Sequence, residues 1–272
     1  MNANLQRRVQ RYGWDKAAEY YENCWQEQLK PAQDLLLKMT NPQTGDKIID
    51  TAAGTGLVTF RFIEKIGLNG NILATDISDE MVKIGNHLST KSNYQNIEFK
   101  RMDAEELNIE DNYFDKATCA LGLMYFPYPE TALSEMKRVL KPGGKAVAAV
   151  WGSRKNCGWA EIFPIVDKRV STDVCPMFFN LGESNVLKFV FEQVGFENIG
   201  VEKIQTKLVY KSAEEACEAA FLGGPVAMAY SRFDSDTREE ARKEYLNSIE
   251  EFKTINGYEI PGEFVVCSGY KT

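Results

Sequence analysis

The chain has 272 residues, 44% of them hydrophobic, and carries 32 Lys and Arg against 39 Asp and Glu, a net charge of −7. That acidic balance argues against sequence-independent binding of nucleic acid, which needs a basic face to displace counterions. With one histidine, a Ser-His-Asp hydrolase, a His-rich metal site and His-driven acid–base chemistry are all disfavoured. The chemistry falls instead to backbone, carboxylates, aromatic rings and a cofactor.

The six cysteines, Cys24, Cys119, Cys157, Cys175, Cys217 and Cys267, are widely spaced and form no CxxC pair, so no metal site is expected. The first residues, MNANLQRRVQRYGWDK, contain no apolar leader, and no run approaches the ~20 apolar residues of a membrane helix. The reading is a cytoplasmic protein with reduced thiols and no membrane span. The oligomeric state stays open.

In chain order, Ala17, Ala18, Tyr21 and Trp25 fall at helical spacing, and Pro31 can open a second helix holding Leu35, Leu36 and Met39. Lys47 to Asp50 is a short strand leading into Gly54-Thr55-Gly56, followed by a helix from Leu57 to Ile66. A second strand runs from Asn71 to Thr75 and closes at Asp76. Ser78 then caps a helix reaching about Leu88. Residues 97–101 alternate as a third strand ending at Asp103, and Phe114 to Leu123 forms a fourth. A helix from Pro129 to Leu140 precedes a fifth strand from Lys145 to Trp151. Beyond it, Asn185 to Val194 reads as a helix and Val201 to Tyr210 as a strand. A helix broken at Gly223-Gly224-Pro225 comes next, then a charged helix from Asp236 to Ile255 and a closing strand from Glu259 to Tyr270.

This alternation predicts an α/β fold: a doubly wound, mostly parallel, seven-stranded sheet with helical cap insertions. The expectation is one domain over 1–272. Residues 1–40 form an N-terminal helical cover, 46–151 the cofactor-binding core, and 152–184 and 211–256 the cap insertions. Residues 185–210 and 257–272 complete the sheet.

Open α/β sheets bind ligands beyond the carboxyl ends of their strands. That edge collects Asp50, the Gly54 and Gly56 turn, Asp76, Asp103 and the segment after Ala120. Asp76 lies twenty residues after Gly56, where an acid can accept both hydroxyls of a ribose. Asp103 can accept from an exocyclic amine, and Ile77 and Met102 can sandwich a flat base. A dinucleotide fold would want a third glycine, where Thr59 stands, and an acid at Asp50 would repel a pyrophosphate. S-adenosylmethionine carries an ammonium and a sulfonium and no phosphate.

Asp50-Thr51-Ala52-Ala53-Gly54-Thr55-Gly56 resembles the first motif of class I S-adenosylmethionine-dependent methyltransferases. Asp76-Ile77-Ser78 resembles their second motif and Met102-Asp103-Ala104-Glu105 their third. Phe114-Asp115 and Arg138-Val139-Leu140-Lys141-Pro142-Gly143-Gly144 resemble the surroundings of the fourth and fifth strands. The nearest resemblance is to the small-molecule methyltransferases grouped with ubiquinone/menaquinone-biosynthesis (type 11) enzymes. It is strong over 46–151, with Ala53 standing where that family more often has Cys.

The resemblance implies S-adenosyl-L-methionine as cofactor, S-adenosyl-L-homocysteine as product, and methyl transfer to a small molecule by in-line displacement in a capped pocket. It implies that Asp50 holds the methionine ammonium through water, and that Ala52, Gly54, Gly56 and Leu121 line the methionine and ribose. Asp76 would bind the ribose hydroxyls, Ile77, Met81 and Met102 the adenine faces, and Asp103 with the Ala104 amide the adenine edge. Tyr21 resembles an N-terminal tyrosine that reaches the cofactor carboxylate, or is a core aromatic.

The acceptor is expected above the fourth and fifth strands. Tyr125 follows the fourth strand, where the acceptor sits in such enzymes, and is the first choice to contact it. Trp151, Cys157, Trp159, Tyr230 and Arg232 are further candidates for the acceptor site. Glu161 is either a base or an exposed helix carboxylate, Arg232 either meets an acidic substrate or pairs with Asp234 or Glu239, and Cys157 is either reactive or structural. His87 falls at a surface or packing position. Two other readings are an NAD-dependent oxidoreductase on a related sheet and a non-catalytic S-adenosylmethionine-binding module.

Overall fold

The computed structural model describes residues 2–171 and 174–272; Met1 of the expected cover and Thr172 and Asp173 of the first insertion lie outside them. The chain opens on one long helix, α1 (Ala3–Thr40), capped by the Asn2 side chain accepting from Leu5 N at 3.1 Å and closed by Asn41 at φ 48°. Two helices meeting at Pro31 are expected from sequence, but Pro31 lies inside α1. Its ring removes one helical N–H and costs about 3 kcal/mol. Leu29, Ala32, Leu35 and Leu36 on either side are all buried, so packing on the core outweighs that loss.

Then follow β1 (Lys47–Thr51), α2 (Thr59–Ile66), β2 (Asn71–Asp76), α3 (Asp79–Lys91), β3 (Ile97–Arg101), β4 (Phe114–Ala120), α4 (Pro129–Val139) and β5 (Leu140–Trp151). The first five strands are parallel, with Ile48, Ile49 and Ala146 to Trp151 buried between helices on both faces. After β5 come α5 (Ile162–Asp167), α6 (Val186–Val194), β6 (Glu197–Tyr210), α7 (Ala213–Phe221), α8 (Ala227–Ser231), α9 (Ser235–Ser248), β7 (Lys253–Thr254) and β8 (Gly257–Tyr270). The sheet order is β3-β2-β1-β4-β5-β8-β6, with β8 antiparallel to both neighbours.

Seven of the eight strands form the expected sheet, and β7 is an added two-residue arm on β8. The arm replaces the end of the expected charged helix. α9 stops at Ser248, and Ile255, 99% exposed, sits between β7 and Gly257 at φ 125°. Gly257 supplies the positive φ at the end of this turn, and this overrides the helical pattern.

α1 crosses the carboxyl edge of the sheet and touches α3, α7, α8, β5 and β8, while α5 packs on α9. The first insertion is seated against β5 through Gly182, where an added Cβ would lie 2.1 Å from the Trp151 carbonyl oxygen. Backbone cannot yield as a side chain can. Gly182→Ala should therefore lower unfolding stability in urea by ~1–3 kcal/mol, and no loss would show that the insertion is free to slide on β5.

Candidate active site

The turn after β1 is made of positive-φ residues: Ala52 at 51°, Gly54 at 60° and Gly56 at 103°. This backbone doubles back so that amides face the strand ends, a conformation costly for Ala52 and easy for glycine. An added Cβ at Gly54 would meet the Tyr21 ring at 3.4 Å, so the turn lies directly under α1.

Asp76, at the end of β2, is 8% exposed and accepts from Gly54 N at 2.8 Å and Ser78 N at 2.9 Å. Burial pushes its carboxyl up to about 6, against the pull of those amides. Asp103 accepts from Glu105 N at 2.9 Å and pairs with Arg7 of α1. Arg7 also holds Glu105, which takes the Tyr128 amide at 2.6 Å. Four residues on, Arg11 pairs with Asp79. Four further, Asp15 accepts from the Ser78 hydroxyl at 2.6 Å and from Glu80 N at 3.2 Å. One stripe of α1 thus clamps the helix to the β2 and β3 ends.

The neighbouring stripe of α1, Gln10, Trp14, Tyr21 and Trp25, faces inward over two joined chambers. The first is lined by Ala52, Gly54, Asp76, Ile77, Met81, Met102, Asp103, Ala104 and Leu121, together with Arg7, Gln10 and Glu105. The second is walled by Trp25, Met124, Trp151, Trp159, Phe163, Phe178, Tyr210 and Tyr245 among others. Trp14, Tyr21, Leu121 and Tyr125 line both. Tyr125 sits between Trp14 and Phe178, its ring 5.2 and 5.3 Å from theirs. Burial pushes the Tyr21 and Tyr125 hydroxyls up; Asp76 and Asp50 add to the effect at Tyr21, and Cys175 at Tyr125.

Several expected site residues lie elsewhere. Asp50 is fully buried behind the first chamber, its two oxygens accepting from Thr59 Oγ1 at 2.7 Å and Thr118 Oγ1 at 2.9 Å. It fastens β1 to α2 and β4. Burial pushes its carboxyl from 3.8 up to about 6. Gly56 is also off the chamber wall; a Cβ there would strike the Phe60 and Phe99 rings at 2.7 Å, so it is a packing glycine.

Glu161 is exposed and ion-paired with Arg154 at 2.9 Å, away from both chambers. Cys157 is 3% exposed, lines neither chamber, and its thiol is pushed up to about 12 by burial. Tyr230 packs on Phe221, rings 4.6 Å apart, and Arg232 points into a surface groove shared with Arg8 and Arg169. His87 is exposed on α3.

Sequence reasoning missed Arg7, Gln10, Trp14, Trp25 and Glu105. Continuing the stripe of Tyr21 back by seven residues and then four reaches Trp14 and Gln10. Gln10 donates to the Val174 carbonyl at 2.9 Å, while its own Oε1 is buried without a partner. Among the described residues, no helix is long and apolar enough to cross a membrane, and no group of His, Cys, Asp or Glu is placed to hold a metal ion.

Residues 26–208 match the model of the ubiE/COQ5 methyltransferase family. The ubiquinone/menaquinone biosynthesis C-methyltransferase UbiE of Ectopseudomonas mendocina (strain ymp) is 31% identical over 179 residues, 60% of this chain and 70% of its own. Its counterpart in Pseudomonas fluorescens (strain SBW25) is 29% identical over 189 residues, 64% of this chain and 73% of its own. Among solved structures, the YcgJ protein from Bacillus subtilis aligns with a TM-score of 0.61 at 17% identity, over 89% of this chain and 98% of its own. Phosphoethanolamine N-methyltransferase 2 of Haemonchus contortus, in complex with S-adenosyl-L-methionine, aligns with a TM-score of 0.62 at 16% identity, over 95% and 57%. These two likenesses show the fold.

The buried acids make stability depend on pH. Asp50 and Asp76 bind a proton more tightly folded than unfolded, so their stabilising effect is complete below ~pH 4 and lost as pH rises through about 6. Asp50→Asn removes one such group. Its stability deficit should be larger at ~pH 4.5 than at ~pH 7, by on the order of 1–3 kcal/mol in urea unfolding. Equal deficits would mean that Asp50 ionises as an ordinary carboxyl.

Proposed function

The chain belongs to the ubiE/COQ5 methyltransferase family, and on that premise we propose that the first chamber holds S-adenosylmethionine and the second the acceptor. The protein is an S-adenosylmethionine-dependent methyltransferase acting on a small molecule. The observation that carries the assignment is the shared wall: Tyr21, Leu121 and Tyr125 border both chambers, so a ligand end placed there faces the other ligand.

The residues fit the cofactor. Asp76 offers a carboxylate to ribose hydroxyls, and its raised pKa falls when those donors bind. Ile77, Met81 and Met102 give an apolar slot for adenine, with Asp103 and the Ala104 amide at its edge. Ala52, Gly54 and Leu121 bring backbone to the methionine end, under Tyr21. A dinucleotide's pyrophosphate would instead meet Asp76, Asp103 and Glu105, with Arg7 already paired.

Bound S-adenosylmethionine supplies a methyl group already activated on a sulfonium. The protein's part is to align the acceptor and exclude water, effects worth ~7–11 kcal/mol. α1 and the two insertions close the second chamber, and Tyr125, Trp151 and Trp159 contact the acceptor. Six free cysteines, five of them buried, support a reducing, cytoplasmic setting.

Calorimetry with S-adenosylhomocysteine tests the cofactor roles. Asp76→Ala should weaken binding by on the order of 1–3 kcal/mol, and native affinity should fall as pH drops through about 6. Glu161→Gln and Arg232→Ala should bind as the native chain does. Unchanged affinity in Asp76→Ala, or a rise in Tm with NAD and none with S-adenosylhomocysteine, would overturn the assignment.

A further inference from the structure

We propose that the surface groove between the start of α1, the end of α5 and α8 is a further ligand site, one that takes a small amphipathic anion: a carboxylate or phosphate carried on an apolar chain. The groove is distinct from both chambers, and methyl transfer does not require it.

The arginines argue it. Among the described residues, Arg8 and Arg232 have neither an ion pair nor a side-chain hydrogen bond, and both line this groove. Every other arginine is ion-paired, or in the case of Arg238 donates to the Ser231 carbonyl at 2.8 Å. Arg8 shares a third face of α1 with Leu5, Val9 and Tyr12, at helical spacing. Arg232 closes α8 and lines the groove with Met228 and Phe233. The third arginine of the groove, Arg169, is already taken by Glu244 at 2.8 Å and Glu240 at 3.8 Å. No carboxylate lines the groove among the described residues. A chain of net charge −7 thus brings its two uncompensated guanidinium groups to one place. Each offers a planar fork of donors that matches the oxygens of a carboxylate or phosphate.

The rest of the lining sets the rest of the ligand. Leu5 and Tyr12 are 41% and 45% exposed, and Val9, Val170, Met228 and Phe233 border the same groove. Inorganic phosphate would leave this apolar surface in water. A purely apolar molecule would leave the arginines without a counter-ion. A ligand with both parts buries the first and pairs the second. A flat anionic membrane fits less well, because Glu240, 73% exposed beside Arg169, would meet it too.

The groove is closed off from the second chamber. An added Cβ at Gly13 of α1 would lie 2.8 Å from the Pro225 carbonyl oxygen. Trp14 and Pro225 line the chamber while Tyr12 and Met228 line the groove, so this backbone contact separates the two. The groove is nevertheless joined to the first chamber through α1. Gln6 and Gln10 both donate to the Val174 carbonyl at 2.9 Å. Val174 borders the groove, and Gln10 and Arg7 border the first chamber. A ligand bridging Arg8 and Arg232 fastens the start of α1 over that chamber. On the cofactor reading above, the groove ligand and S-adenosylhomocysteine therefore strengthen each other's binding, since coupling between two sites is reciprocal.

Calorimetry on the native chain with octyl phosphate, below its micellar concentration, tests this. Octyl phosphate should bind roughly tenfold tighter than octanol or inorganic phosphate, and octyltrimethylammonium weakest. Arg8→Gln and Arg232→Gln should each weaken octyl phosphate roughly fivefold and leave S-adenosylhomocysteine affinity unchanged. Octanol binding as tightly as octyl phosphate, or native affinity in both variants, would overturn the site. Capture by phosphatidylglycerol vesicles with no binding of octyl phosphate would also overturn it, in favour of a membrane contact. Saturating S-adenosylhomocysteine should tighten octyl phosphate several-fold. Weakened binding would place the probe in the chambers and overturn the groove, whereas unchanged binding would overturn the coupling alone. Failure of S-adenosylhomocysteine to bind the native chain would overturn the cofactor reading and not the groove.

Discussion

The site depends on how one helix is laid across the carboxyl edge of the sheet. α1 is held there by two different forces. Toward its start, Arg7, Arg11 and Asp15 pair with acids, hydroxyls and amides at the ends of β2 and β3. Toward its end, Leu35, Leu36 and Met39 are buried in the core. Between these anchors the helix has no choice of rotation. Its inner stripe must face the strand ends, and so Trp14 and Tyr21 become the partition between two chambers.

The two chambers differ in kind because they sit over different parts of the sheet. The first lies over β1, β2 and β3, where Asp76 and Asp103 have oxygens partly occupied by backbone amides. The second lies over β4 and β5 and under the insertions, where Trp151 is met by Trp159, which in turn meets Phe163 and Phe178. Polar recognition and apolar alignment are thereby separated in space. A charged cofactor and an apolar acceptor can each find a matching wall within one fold.

Much of this was legible in the sequence, for local reasons. The strands, the Gly54 turn, Asp76, Asp103 and the Ile77, Met81 and Met102 faces are fixed by short-range geometry, in which a residue at a strand's end lies at the sheet's edge. The expected residues that lie off the two chambers share a different cause. Asp50 also ends a strand, but whether it faces ligand or the protein interior depends on Thr59 and Thr118, distant positions that claim its oxygens. Glu161, Cys157, Tyr230 and Arg232 sit in insertions without a strong period, where nothing local says which side chain turns inward. Pro31 marks a helix start by local rules, and only the burial of its neighbours shows why the helix runs through it.

The antiparallel seat of β8 between β5 and β6 has a consequence for how the chain reaches this structure. Lys145 pairs with Tyr270 and Trp151 with Phe264, so the middle of the sheet is closed by contacts more than a hundred residues apart in sequence. Long-range closure of this kind slows folding, because the loop entropy is lost before the pairing is gained. On a ribosome, β5 stays an open edge of apolar residues, and β6 has no partner, until β8 has emerged. In that interval the nascent chain presents the unpaired strand edges that invite association with other chains. β8 is the strand that converts a sticky intermediate into a closed sheet.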